Sequence, residues 1–173
     1  KRLRFSSPHP RDVDDGMLQV MSSYSNICNH VHLPLQAGND RILKRMNRTY
    51  TKQEFLDLSS KIRDYMPGCS ITTDIIVGFP GETEEEFLDT LDVVNTVGFN
   101  FAFMFKYSSR PGTKAAEYTD QIKEEVKQHR LERLIQDQLK NTLQQNKALI
   151  GKTVKVLVEK QSKKSESQWS GRT

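Results

Sequence analysis

Residues 70–87, SITTDIIVGFPGETEEEF, constrain the fold more than any other stretch of the chain. The first half, residues 71–77, is rich in β-branched side chains and ends at Gly78, which predicts a buried strand of a parallel sheet. The second half predicts the start of a helix, because Thr83 at the N-cap and Glu86 three residues later form a capping box. A strand, a glycine turn and a helix start make half of a βα unit.

Asp74 interrupts the apolar run of this predicted strand. If the strand alternates, the Asp74 carboxylate lies on the same face as Thr72 and Ile76. A buried carboxylate without a partner is costly. We therefore expect this face to meet something polar, such as the lumen of a barrel or a ligand.

The remaining chain repeats the alternation of strand and helix. Hydrophobic patterns predict strands at residues 3–7, 31–35, 71–78, 99–107 and 152–159. Helices are expected between them, including a long one from residue 122 to about residue 149 with Leu134, Leu139 and Leu143 on its apolar stripe. Alternating strands and helices indicate a parallel sheet covered by helices. Because four such units are too few for a closed eight-stranded barrel, we expect an open sheet or the second half of a barrel.

Composition and charge restrict the class of protein. No apolar run is long enough to cross a membrane, so we expect a cytoplasmic protein without a membrane partner. Cys28 and Cys69 form neither a disulfide framework nor a metal motif and are expected to be inert thiols. Basic residues outnumber acidic ones two to one in residues 121–173. This excess suggests a polyanionic partner, although a solvated helix face would account for the charge equally well.

The loops after the first four predicted strands point to one ligand site. Ligands of parallel α/β proteins bind at the carboxyl ends of the strands. Glycine, proline or polar side chains occur after each of these strands, at residues 6–9, 36–38, 78–82 and 107–112. Any one of these loops can be explained as a simple turn, but four in register predict that they surround the entrance of one ligand site.

Alternation also predicts which side chains face that site. His32 and Gln36 share one face of the second strand, Asp74 lies on one face of the third, and Asn100 and Lys106 share the polar face of the fourth. The aromatic face of the fourth strand is expected to meet helices. A lumen that carries His32, Asp74 and Lys106 can pair its own charges or bind a zwitterionic ligand. The sequence contains no phosphate-binding loop and no nucleophile elbow, so it shows no complete catalytic constellation.

Three long motifs resemble one family. HLPLQAGNDRILKRMNRTYT, TTDIIVGFPGETEEEF and FMFKYSSRPGTKAA occur in the order and spacing of the radical-SAM methylthiotransferases of tRNA. The opening RFSSPHP and the closing VLVEKQSKKSESQWSGRT fit the same family, and the chain looks most like its MiaB-type branch. The similarity covers essentially all 173 residues.

The resemblance implies a fold and a reaction. The fold would be α/β, with residues 1–150 as the second half of a radical-SAM (β/α) TIM-like partial barrel with its linking helix. Residues 151–173 would begin a small, truncated β-barrel, the TRAM RNA-binding domain. The family uses S-adenosylmethionine, two [4Fe-4S] clusters and an electron donor such as flavodoxin or ferredoxin. It installs a 2-methylthio group on an isopentenyl-modified adenosine beside the anticodon of tRNA.

The chain departs from the family pattern by omission. The CxxxCxxC triplet that holds the S-adenosylmethionine cluster is absent, and so are the three cysteines of the second cluster. Cluster ligation requires cysteine thiolates. We therefore expect a fragment that contributes the floor and wall of the cofactor pocket and is inactive alone.

The resemblance and the predicted strand ends together suggest site residues. The cofactor-binding candidates are His32, Gln36, Asp74, Lys106 and Tyr107. Arg48 and Arg110 would hold a carboxylate or phosphate through bidentate hydrogen bonds. The candidates for contact with tRNA phosphate are Lys163, Lys164 and Arg172. Trp169 would stack on a base or, as we favour, pack in the core of the small barrel.

Two alternative functions remain open. The ribosomal-protein methylthiotransferases of the same family share the LPxQ-type and RPGT-type motifs. A non-catalytic RNA-binding module, which would use the basic helix and tail, belongs to a different class.

Overall fold

A computed structural model describes residues 2–5 and 8–172, the last of these by its backbone alone. A short 3-10 helix at Pro10–Asp12 precedes the regular elements. The helices are α1 (Asp15–Ser23), α2 (Asp40–Arg45), α3 (Lys52–Tyr65), α4 (Glu84–Val97), α5 (Lys114–Glu117) and α6 (Glu124–Lys147). The strands are β1 (His30–His32), β2 (Ser70–Val77), β3 (Phe101–Lys106), β4 (Leu157–Gln161) and β5 (Trp169–Arg172).

The first three strands form a parallel sheet in the order β1-β2-β3. An isolated bridge between Gln36 and Ile75 continues the pairing beyond the end of β1. Helix α6 packs on β3 and on α4, which also contacts α3. Burial alternates residue by residue along β2, so one face of the sheet is covered and the other is open. The predicted α/β class with a parallel sheet is confirmed.

The predicted helix signals are present as hydrogen bonds. Both bonds of the capping box join Thr83 and Glu86 at the start of α4, and Thr51 and Glu54 form the same motif at the start of α3. Gly98 ends α4 in the left-handed conformation, with φ of 59°. Only glycine adopts this conformation without a steric penalty, which explains why the helix ends there.

The prediction for the faces of β3 was wrong. Residues of parallel strands that pair in register point to the same side, and Phe103 pairs with Asp74. The aromatic side chains of β3 therefore share the open face with Asp74, and about half of each is exposed: Phe101 50%, Phe103 50%, Phe105 53%. The opposite face carries the buried Ala102, because α6 packs on β3 there and a small side chain permits that approach.

The predicted apolar stripe of α6 was also wrong in part. Leu134 is buried as expected, but Leu139 and Leu143 are exposed. The buried side of α6 also carries Lys127, Arg130 and Gln138. Such groups are tolerated inside a protein when they are hydrogen-bonded, and Gln138 Nε2 donates to the carbonyl of Phe99 over 2.8 Å.

The two ends of the chain differ from the predicted strands. Leu3 makes only an isolated bridge to Ile27, and residues 6 and 7 of the predicted first strand lie outside the described residues. Near the C-terminus β4 begins at Leu157 rather than at residue 152. It pairs antiparallel with β5, with a register shift between Val158 and Lys160. That this hairpin begins a TRAM domain stays a prediction.

Candidate cofactor pocket

A cavity of about 990 Å³ lies at the carboxyl ends of the parallel strands. Its wall comes from the loop after β1, the C-terminal end of α2 with the loop that follows, the ends of β2 and β3, and residues 108–118. This is the edge at which parallel α/β proteins bind ligands. Its volume is that of a small-molecule site.

Most of the predicted site residues line this cavity. Gln36, Asp74, Lys106 and Tyr107 do so, together with the two predicted anion-binding arginines, Arg48 and Arg110. His32 does not line the cavity. Its Nε2 lies 3.2 Å from Asp74 Oδ2, so His32 contacts a residue of the cavity wall on the same face of the sheet.

Gln36 reaches the cavity through an unusual backbone conformation. Its φ is 65°, a value that residues other than glycine adopt only when their surroundings enforce it. The enforcing contacts are two backbone hydrogen bonds of 2.8 Å, from Gln36 N–H to the Asp74 carbonyl and from Ile76 N–H to the Gln36 carbonyl. These bonds fix Gln36 beside Asp74 at the end of the sheet.

Two of the predicted residues carry buried polar atoms that have no partner in the described part of the chain. These atoms are Arg48 Nε and the Tyr107 hydroxyl. Unsatisfied buried groups are rare in native proteins and require an explanation. Arg45 Nε is likewise buried without a partner in the described part of the chain, but the other end of its guanidinium donates to Asp120 over 2.8 and 2.9 Å and stacks on the ring of Tyr118. Arg45 therefore holds the loop around residues 118–120 against α2, and Arg48 Nε remains a candidate donor to a ligand.

Lys106 occupies a different place from the one predicted. It pairs with Glu124 of α6 and donates to Gln128 Oε1 over 3.2 Å, on the covered side of the sheet. It does not join His32 and Asp74 on the open face, because Val77, its partner in β2, points to the helices. Lys106 still contributes to the cavity wall at the end of β3, and its role in cofactor binding stays a prediction.

The turn after β2 is tied to α6 by a buried ion pair. Arg130 Nη1 lies 2.9 Å from Glu82 Oε2 and 3.0 Å from the Glu82 carbonyl, and the same carboxylate accepts from Gly78 N–H over 2.7 Å. Burial raises the pKa of Glu82, while Gly78 N–H and Arg130 oppose that rise. A side chain at Gly78 would have its Cβ 2.5 Å from Lys127 Cγ. The GFPGE turn is therefore shaped by close packing against α6, and this packing positions Phe79 at the cavity.

The cavity also contains residues that the sequence reasoning missed. Phe79 follows β2 directly, and its ring lies 5.1 Å from that of Tyr107. Lys44, Lys114 and Tyr118 line the outer wall. Their only signal in the sequence is their position next to loops already predicted to reach the site. Nothing in residues 44 or 118 themselves distinguishes them from ordinary surface residues.

The predicted RNA-binding residues of the tail are not part of the cavity. Lys163 and Lys164 are exposed in the turn between β4 and β5. Trp169 is 71% exposed, so the expectation that it packs in a core is wrong for this chain. The side chain of Arg172 lies outside the described residues.

The described residues show neither a metal centre nor a membrane-spanning element. They contain no group of three or more histidine, cysteine, aspartate or glutamate side chains that could hold a metal ion. Cys28 and Cys69 are free, and burial raises the pKa of the Cys69 thiol to about 11. No helix in residues 2–5 and 8–172 is both long and apolar enough to span a bilayer.

Comparison with known proteins identifies the class. The profile of the Radical SAM superfamily matches residues 1–94. Coproporphyrinogen III oxidase (HemN) from Escherichia coli, described as a radical SAM enzyme, superposes with a TM-score of 0.55 over 83% of this chain and 31% of that chain. At 21% identity, this likeness shows the fold alone. The chain belongs to the radical SAM superfamily.

Several closer relatives carry the name tRNA-2-methylthio-N(6)-dimethylallyladenosine synthase. The relative from Thermoanaerobacter sp. (strain X514) is 49% identical over 100% of this chain and 37% of its own length. The relative from Fusobacterium nucleatum is 52% identical over 99% of this chain and 39% of its own length. The chain thus spans less than two fifths of these relatives.

Proposed function

We propose that this chain is the part of a tRNA methylthiotransferase that forms the cofactor pocket, and that the cavity binds S-adenosylmethionine. The observation that carries the proposal is the identity of 49% over all 173 residues with a protein named tRNA-2-methylthio-N(6)-dimethylallyladenosine synthase. The cavity supplies a matching lining, because charged side chains and apolar side chains line the same space.

The residues of the cavity fit the parts of S-adenosylmethionine. Arg48 would hold the carboxylate, since its guanidinium has a buried N–H without a partner among the described residues. Asp74 and Gln36 would accept from ribose hydroxyls or the ammonium group. Ile76, Phe79 and Phe105 offer an apolar surface for the adenine ring. When bound, S-adenosylmethionine supplies the methyl group and the hydrogen-abstracting chemistry of this class of reaction.

The chain does not fit a four-iron cluster. Such a cluster needs several cysteine thiolates, and the sequence contains only two cysteines, which lie outside the cavity wall. The two [4Fe-4S] clusters of the proposed enzyme would therefore take ligands from residues outside this sequence. An electron donor such as flavodoxin or ferredoxin belongs to the same proposal.

Cationic side chains around the mouth support a tRNA substrate. Lys44, Arg110 and Lys114 line the outer cavity, and Lys163 and Lys164 are exposed on the hairpin. Lysine and arginine that face phosphate make the sequence-independent part of nucleic-acid binding. The substrate would be a dimethylallyl-modified adenosine in tRNA, as in the names of the relatives.

Binding of S-adenosylmethionine to the full-length, cluster-reconstituted protein tests the cofactor pocket. We expect Arg48→Gln to weaken binding at least about tenfold, because charge-assisted hydrogen bonds to a carboxylate contribute about 1.5–3 kcal/mol. The matched control is Arg11→Gln, since Arg11 is an exposed arginine outside the cavity. Equal affinity of the two variants would contradict the proposed pocket.

A substrate comparison separates the proposal from its alternatives. The full-length protein is offered dimethylallyl-modified tRNA and a ribosomal-protein substrate, and methylthiolated products are measured by mass spectrometry. Product from tRNA alone supports the proposal. Product from the ribosomal protein alone assigns the chain to the other branch of the family, and salt-sensitive tRNA binding without product supports a binding module.

A further inference from the structure

Four polar side chains form a continuous line on the open face of the sheet. His30 Nε2 lies 3.0 Å from Thr72 Oγ1, and His32 Nδ1 lies 2.9 Å from the same oxygen. His32 Nε2 then lies 3.2 Å from Asp74 Oδ2. The line therefore runs from the amino end of β1 to the wall of the cavity, and Asp74 is its only member that lines the cavity.

When both imidazoles are neutral, the hydrogen bonds along this line can be donated in one direction only, from His30 towards Asp74. An ionised carboxylate can only accept, so His32 must donate from Nε2 to Asp74. His32 Nδ1 is then an acceptor and must receive the Thr72 hydroxyl proton. Because the Thr72 hydroxyl has one proton, its oxygen must accept from Nε2–H of His30. Both histidines are thereby assigned the tautomer with hydrogen on Nε2.

An independent feature of His30 agrees with this assignment. Its Nδ1 is buried and has no hydrogen-bond partner in the described part of the chain. In the assigned tautomer this atom carries no proton, so no N–H group is left buried without an acceptor. Burial, with Arg4 and His32 as further causes, lowers the pKa of His30 to about 4, which keeps its ring neutral at pH 7.

We propose that His30, Thr72 and His32 are positioning residues that act through Asp74: their hydrogen bonds run in one direction and orient its carboxylate for a ligand in the cavity. Oδ2 is occupied by His32, which leaves Oδ1 as the oxygen for a hydroxyl or ammonium donor. The ring of Phe103 lies 6.1 Å from that of His32 in an edge-to-face arrangement. None of these three side chains lines the cavity, so their effect on a ligand is indirect. This inference rests on the proposed function only for the identity of the ligand.

The positioning role is tested by a double-mutant cycle on ligand affinity. S-adenosylhomocysteine is titrated calorimetrically into the full-length, cluster-reconstituted protein. Thr72→Val keeps the shape of the side chain and removes the hydroxyl, and we expect it to weaken binding about fivefold, as for the loss of one hydrogen bond. Thr72→Ser restores the hydroxyl and should remain within about twofold of the unsubstituted protein.

The coupling to Asp74 decides between positioning and general destabilisation. In an Asp74→Asn background, Thr72→Val should cause no further loss of affinity, because the oriented carboxylate is already gone. The control is Ser59→Ala, which removes a buried hydroxyl of α3 that donates to the carbonyl of Phe55 and is not part of the cavity lining. It should leave the affinity unchanged in both backgrounds.

If Thr72→Val does not fold, Thr72→Ala carries the same cycle. Additive losses from Thr72→Val and Asp74→Asn would overturn the proposal, and so would a serine variant as weak as the valine variant.

A second measurement does not depend on any ligand. Long-range ¹H–¹⁵N spectra of histidine-labelled full-length protein at pH 7.5 report which ring nitrogen carries hydrogen. We expect Nε2–H in both His30 and His32, and Nδ1–H or a charged ring in either would overturn the assigned direction. If S-adenosylhomocysteine fails to bind the unsubstituted protein, the proposed cofactor pocket fails, whereas these spectra still decide the hydrogen-bond chain.

Discussion

The two faces of the parallel sheet have the same backbone but opposite contents. The covered face of β2 carries Ile71, Thr73, Ile75 and Val77, all of them fully buried under helices. The open face carries Thr72, Asp74 and Ile76 of β2 beside the half-exposed phenylalanines of β3. The contrast separates two tasks, because burial of apolar area under the helices stabilises the sheet, whereas the polar groups of the open face are left to contact a ligand. Four substitutions test this division, beginning with the largest expected effect.

Loss of the buried cation Arg130 on the covered side should lower the free energy of unfolding most. Arg130→Ala leaves the Glu82 carboxylate buried without its partner, which typically destabilises a protein by about 3–5 kcal/mol. Urea unfolding of the chain measures the change in the free energy of unfolding. Adding Glu82→Gln should recover part of the loss, since an uncharged amide is easier to bury. If Arg130→Ala alone were as stable as the double variant, the buried pair would not hold α6 to the turn.

Truncation of a buried side chain on the covered face should cause the second largest loss of stability. Ile75→Ala removes a fully buried side chain between the sheet and the helices, and we expect a loss of about 2–4 kcal/mol in the free energy of unfolding. The matched control is Ile76→Ala, the neighbouring residue of the same type on the open face. It should cost less than half as much, and equal losses would mean that both faces are equally covered.

His30 should make stability depend on pH below neutrality. Its pKa is lowered to about 4 in the folded chain, so folding favours the neutral ring. The stabilisation is present above the ordinary histidine pKa of about 6.5 and is lost as pH falls from there towards 4. Because His30 is partly exposed, we expect only about 1 kcal/mol. Unfolding curves of His30→Gln at several pH values should lack this slope, and an unchanged slope would assign it to other groups.

The smallest effect should come from the aromatic stripe of the open face. Phe103→Ser replaces a half-exposed ring, and we expect a loss of about 1 kcal/mol or less in the isolated chain. Differential scanning calorimetry would compare it with Phe99→Ser, which replaces a fully buried ring and should cost about 3 kcal/mol or more. A Phe103 variant as unstable as the Phe99 variant would show that the open face contributes to the core.

Local signals in the sequence predicted local structure well. The capping boxes at Thr51 and Thr83 depend on residues three positions apart, and the end of α4 depends on the single residue Gly98. Alternation along β2 needs only a period of two, which is why Asp74 was placed correctly on the face of Thr72 and Ile76. Strand order and glycine-rich loops likewise predicted a site at the carboxyl ends of the strands.

Predictions that required knowledge of a partner element were less reliable. Alternation divided β3 into two faces correctly but could not decide which face meets the helices. The prediction that the apolar, aromatic face meets the helices was wrong, because α6 approaches the face with Ala102. Leu139 and Leu143 of α6 were misplaced for the same reason, since the helix buries a side rich in hydrogen-bonding groups.

The sequence by itself determined the helix and strand pattern and, through the three motifs, the family, and it predicted a site at the strand ends where the cavity lies. The tertiary structure alone decided which groups meet, namely Lys106 with α6, and His30, Thr72, His32 and Asp74 in one line. The physical reason is the range of the interactions. Caps and alternation act within a few residues along the chain, whereas Thr72 joins histidines that lie 42 and 40 residues away in sequence, and only packing of β1 against β2 brings them together.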